Sequence, residues 1–130
     1  IEVVMRPHKC YYKAVRGLFG CSGLKGLAHI TGGGIQDNLC RVLPDYLDAS
    51  VDLSALKVPE VFRVIRSIGG VPEPDMLRTF NMGIGLTLVC SPEAARDVSA
   101  HLTEHGCAAS QIGTIEKGTK QVTFDGQIAW

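Results

Sequence analysis

The chain has no net charge: thirteen Lys and Arg balance thirteen Asp and Glu over 130 residues. A broad nucleic-acid surface needs a basic stripe or patch, so nucleic acid is not an expected partner. Long hydrophobic runs are also missing. The longest uncharged stretch, Thr79 to Pro92, is too short for a bilayer and is interrupted by Gly83 and Gly85, so no membrane association is expected. Repeats and low-complexity tracts are absent. With 45% hydrophobic and 20% charged residues and a single Trp, this excludes a disordered tail, a collagen-like fibre and a coiled coil. The five cysteines (Cys10, Cys21, Cys40, Cys90 and Cys107) are odd in number and contain no Cys-x-x-Cys pair. They suit neither a disulfide framework nor a zinc framework, and reduced thiols in a cytoplasmic protein are the expectation. Cys40 and Cys90 have apolar neighbours and are expected to pack as small hydrophobes. No signal peptide is expected. Because it opens on Ile1 rather than Met, it is expected to be a processed or excised piece of something longer.

At this length, residues 1–130 make one domain, able to bury roughly two-thirds of the unfolded chain's surface. Ile1 to Met5 could finish a strand or a linker, and Cys10 to Leu18 has moderate helical character. Lys25 to Thr31 reads as a short, mostly buried strand. Asn38 to Leu43 reads as a helix ended by Pro44, and Tyr46 to Leu53 as a strand. A helix from Pro59 carries Val61, Phe62, Ile65 and Ile68 on one face and stops at Gly69-Gly70. A short helical turn follows at Asp75 to Arg78. Gly83 to Cys90 is the strongest strand, near-continuously apolar as when both faces are covered. Pro92 to His105 is an amphipathic helix with Ala94, Val98 and Leu102 at i+4 intervals. Ala108 to Ile115 and Gln121 to Phe124 close the chain as strands. The alternation predicts an α/β (α+β) fold, a layered mixed β-sheet covered by helices.

Fifteen glycines are present, and they cluster. In Leu27-Ala28-His29-Ile30-Thr31-Gly32-Gly33-Gly34, a strand runs into three glycines and a helix begins soon after. Consecutive glycine amides can point into one concavity, and a helix N-terminus adds positive potential, which together suit a phosphate. A tight turn that needs glycine only for sterics explains the pattern about equally well. No Gly-Lys-Ser/Thr follows, so this is not a P-loop, and it is not a Gly-x-Gly-x-x-Gly fingerprint. Taken alone, a single His in an apolar strand such as His29 is more often a hydrogen-bonded core residue than a catalyst. In Arg78-Thr79-Phe80-Asn81-Met82-Gly83-Ile84-Gly85, two glycines at i and i+2 clear one face of a strand for a ligand or for another backbone, and Asn81 shares their parity. A third pattern, His101-Leu102-Thr103-Glu104-His105, matches the His-x-x-Glu-His of inverted zinc peptidases. Its imidazoles suit a helix C-terminus without any metal, no third ligand is placed, and no functional metal is expected there.

Together the two glycine segments resemble phosphoribosylformylglycinamidine cyclo-ligase, also called aminoimidazole ribonucleotide synthetase. The resemblance rests on Gly26 to Gly34, Asp37-Asn38, Arg41 to Pro44, Pro59-x-Val61-Phe62, Met76, Thr79 to Gly85 and Ile112-Gly113, in that order from Pro7 onward. Cys40 stands where a proline is common, and Leu56 near where a tryptophan is common. The family's amino-terminal domain, with its acidic metal ligands and most of its ATP site, has no counterpart in these residues, which look like most of the carboxy-terminal domain.

The resemblance implies ATP-dependent ring closure of formylglycinamidine ribonucleotide to aminoimidazole ribonucleotide, with ADP and phosphate released. It implies catalytic roles for His29 and Asn81. It implies substrate or phosphate contacts at Thr31, Gly32, Gly33, Gly34, Asn38, Thr79, Gly83 and Gly85, and no metal ligands. ATP and Mg2+ would be held mainly by the amino-terminal domain, with nothing tightly bound here. The implied partners are a phosphorylated ribonucleotide, that second domain and a second copy in a homodimer. The 130 residues alone are expected to fold without catalysing cyclisation. The alternative is a non-catalytic phosphate- or nucleotide-binding or assembly domain of the same fold.

Overall fold

The computed structural model describes residues 2, 3 and 5–130. Ile1 and Val4 of the expected opening segment lie outside them; Glu2, Val3 and Met5 take no strand conformation. Two sheets form rather than one. Strand β1 (Leu24–His29) pairs antiparallel with β3 (Leu86–Cys90). Strand β2 (Leu47–Asp52) lies between β4 (Gly113–Lys117) and β5 (Val122–Asp125), antiparallel to the first and parallel to the second. The fold is mixed α/β. The helices are α1 (Tyr12–Val15), α2 (Gly34–Cys40), α3 (Glu60–Gly69), α4 (Glu73–Thr79) and α5 (Pro92–Glu104).

The β1–β3 ribbon separates two hydrophobic clusters. Ala28 and Ile30, with Val89 beside them, join the larger cluster, built on Ile35, Val51, Met76 and Met82. Leu27, Leu86, Leu88 and Cys90 face the smaller one, where Ala14, Val15 and Leu18 meet Val98 and Leu102 of α5. Both faces of β3 are thus covered, which explains its unbroken apolar run. β1 is only partly buried: Lys25 and His29, near its two ends on the side of Leu27, are exposed.

Several boundaries differ from the sequence reading for identifiable reasons. The helix expected over 38–43 begins at Gly34, inside the glycine run, because Gly33 caps it at φ 95° and tertiary packing outweighs glycine's poor helix propensity. The strand expected from Gly83 begins at Leu86. Asn81 to Ile84 instead form a turn whose central residues, Met82 and Gly83, both have positive φ, at 53° and 93°. Ile68, expected on the buried face of α3, is 84% exposed, whereas Phe62 and Ile65 of that face pack on the core.

Candidate functional site

The two glycine segments meet. The Ile30 amide donates to the Gly85 carbonyl at 3.0 Å, which ties the end of β1 to the chain entering β3. Beside this junction is a cavity of about 290 Å³ lined by His8, Ile30, Thr31, Phe62, Thr79, Phe80 and Asn81. Thr31 opens the glycine loop, Thr79 is the last residue of α4, and Asn81 starts the turn before β3. Phe62 of α3 packs against Phe80 with ring centroids 5.4 Å apart, making an aromatic wall. Apolar walls with a few polar groups from separate elements are the usual make-up of a small-molecule site.

Asn38, expected as a ligand contact, is 5% exposed. Its amide nitrogen donates to the carbonyls of Gly34 at 2.8 Å, Gly32 at 3.2 Å and Thr31 at 3.4 Å. Its oxygen accepts from the Thr31 hydroxyl and from Arg41, each at 3.4 Å. Asn38 is therefore committed to shaping the loop. The Gly34 amide is also occupied, donating to the Thr31 carbonyl at 3.1 Å, so the loop offers at most two glycine amides to a ligand. The Asp37 carboxylate lies against Gly33, where a Cβ would come within 2.7 Å of it. An anion entering on that side would meet a negative charge.

Gly83 and Gly85 clear space, but the space is filled from within. A Cβ on Gly83 would press on the Pro59 ring, and one on Gly85 would overlap the Tyr11 hydroxyl. The strand-parity reading fails here because the residues form a turn. Asn81 Oδ1 accepts from the Gly83 amide at 3.0 Å, so this side chain both shapes the turn and lines the cavity. His29 is exposed rather than a core residue and does not line the cavity. It stands edge-on to His8, with ring centroids 4.9 Å apart, and near Tyr11 at 6.3 Å. Burial raises the Tyr11 pKa above the ordinary phenol value, and Cys107 adds to the effect, so this ring stays a neutral hydroxyl.

Sequence reasoning missed His8, and no pattern marks it, since a lone His between Pro7 and Lys9 carries no periodicity. Among the described residues no three His, Cys, Asp or Glu side chains gather in a metal-sized group. His101 and His105 stack with centroids 4.2 Å apart, each with a ring nitrogen bonded to a backbone carbonyl, of Ala14 and His101 respectively.

Residues 2–126 match the family described as AIR synthase related protein, C-terminal domain. The chain belongs to that family. Over 129 residues it is 38% identical to phosphoribosylformylglycinamidine cyclo-ligase of Brevibacillus brevis, covering 99% of this chain and 37% of that protein. The cyclo-ligase of Alkaliphilus metalliredigens is 39% identical over 123 residues, 95% of this chain and 35% of the relative. A bifunctional purine biosynthetic protein of Saccharomyces cerevisiae is 41% identical over 119 residues, 92% of this chain and 15% of that protein. The crystal structure of Escherichia coli HypE, a hydrogenase maturation protein, matches with a TM-score of 0.65 and 25% identity, over 88% of this chain and 36% of that one. This AIR synthase related domain therefore spans little more than a third of its cyclo-ligase relatives, and the same fold serves in a protein with a different role.

Proposed function

We propose that this AIR synthase related domain supplies one wall of the substrate cleft of an ATP-dependent cyclo-ligase of purine biosynthesis. The enzyme would convert formylglycinamidine ribonucleotide to aminoimidazole ribonucleotide, releasing ADP and phosphate. The observation that carries the reading is the convergence of Thr31, Thr79 and Asn81, from two separate signature segments, on one aromatic-walled cavity. The two hydroxyls and the amide orient the ribonucleotide, the exposed Gly32 lets it approach the backbone closely, and Asn38 keeps the loop in shape. Catalysis of phosphoryl transfer is mostly positioning and charge neutralisation, and positioning is this domain's share.

Mg2+ does not fit the cavity: a phosphoryl-transfer metal takes oxygen ligands from carboxylates, and neither Asp nor Glu lines it. ATP and Mg2+ would be held by a second domain, and that domain and a second copy of the protein complete the proposed assembly. Among the described residues no helix is long and apolar enough to cross a membrane, and the proposed location is the cytoplasm.

The test measures ADP and aminoimidazole ribonucleotide formed by this chain alone, then with the amino-terminal part of the Brevibacillus brevis relative added. The expected result is no turnover alone and turnover on addition. Turnover by the chain alone would overturn the division of labour. Nucleotide binding without turnover in either mixture would favour a binding or assembly domain.

A further inference from the structure

We propose that His8, rather than His29, is the imidazole that meets the ligand, and that His29 is a positioning residue acting through it. The inference rests on reading the cavity as a ribonucleotide site, and it specifies which part of the ligand is read there. His8 lines the cavity beside Thr31 and Asn81, whereas His29 does not reach it. His8 Nδ1 lies 3.1 Å from the Lys9 carbonyl oxygen. A carbonyl only accepts, so Nδ1 carries the hydrogen, and in the neutral imidazole Nε2 is then the acceptor. That nitrogen can accept a hydrogen bond from an N–H or O–H donor. A phosphate without a hydrogen cannot supply one, whereas a ribose hydroxyl, an amidine or an amino-substituted five-membered ring can. The aromatic surface of Phe62 and Phe80, whose rings are tilted 47° to each other, favours the planar, nitrogen-rich group over the sugar. His29 presents its ring edge-on to His8, and Tyr11 stands edge-on to His8 at 6.0 Å. The two rings hold the imidazole on a segment with no regular structure of its own.

The test titrates the protein with aminoimidazole ribonucleotide and with ribose 5-phosphate, which lacks the ring. His8→Ala is expected to weaken aminoimidazole ribonucleotide binding about tenfold and leave ribose 5-phosphate unchanged, the size of one lost hydrogen bond. His29→Ala is expected to weaken it about threefold, within the range of an edge-on ring contact, and His29→Phe, which keeps that contact, to restore it. The ring signals of His8 in a nuclear magnetic resonance spectrum of the unmutated protein are expected to shift on binding. Unchanged affinity in His8→Ala, equal losses for both ligands, or a shift at His29 without one at His8 would overturn the proposal. If the Thr31 and Asn81 signals move while both histidines stay still, the cavity reading stands and the proposal for His8 falls. If neither ligand binds, both fall.

Discussion

The loop from Thr31 to Asn38 and the turn from Thr79 to Gly85 both combine glycine with polar side chains, and both reach the same cavity, but they use glycine differently. In the turn, glycine makes room for other side chains: the Pro59 ring fills the space at Gly83, and the Tyr11 hydroxyl fills the space at Gly85. In the loop the three glycines carry three different constraints. Gly34 combines φ 64° with a position directly under the Leu77 carbonyl oxygen. Gly33 has φ 95° and the Asp37 carboxylate close by. Gly32 has neither constraint, because a Cβ there would meet nothing within 4 Å. A run of glycines is therefore not one device. Packing and backbone geometry account for Gly33 and Gly34, and only Gly32 is left over for a ligand to explain.

Substitutions sharpen that comparison. Gly34→Ala should be the most damaging, at about 3 kcal/mol or more, because a left-handed backbone and an overlap with a carbonyl oxygen add together. Urea denaturation measures it, and a loss below about 1 kcal/mol would mean that the α2–α4 contact yields easily. Asn38→Ala should follow at about 2–3 kcal/mol, since it leaves loop carbonyls without their donor. If Asn38 instead served a ligand alone, stability would be unmoved and only binding would fall. Gly85→Ala should cost about 1–2 kcal/mol by displacing the Tyr11 ring. It should also weaken nucleotide binding, because Tyr11 stands beside His8. Gly32→Ala should change stability by less than about 0.5 kcal/mol. Any loss of nucleotide binding in that variant therefore reports ligand approach directly. If binding were also unchanged, the whole glycine run would be structural.

Much of the fold was legible in the sequence, because apolar periodicity reports burial directly. The Leu47–Asp52 strand, the helix after Pro59 and the helix from Pro92 all follow from it. The early start of α2 did not follow, since Gly34 is a poor helix former held in place by its contact with Leu77 of α4, distant in sequence. The turn at Met82 was hidden for a related reason: a buried Met at positive φ looks, in sequence, like any apolar strand residue. At the site, residue types were legible but their destinations were not. Thr31, Thr79 and Asn81 reach the cavity; Asn38 does not, because its amide is turned inward to three carbonyls. His8 enters through the docking of its segment near the end of β1, which no local pattern encodes.

The convergence of the two segments on one cavity, proposed to take a ribonucleotide, is tested most directly at Thr79, an exposed residue that lines the cavity from the end of α4. The measurement is calorimetric titration of the unmutated protein and of Thr79→Val with aminoimidazole ribonucleotide, alongside the unfolding temperature of each. The account predicts saturable binding by the unmutated protein, binding weakened about tenfold by loss of the hydroxyl, and unfolding temperatures that agree. Equal affinity in the two proteins, or no saturable binding in either, would contradict it.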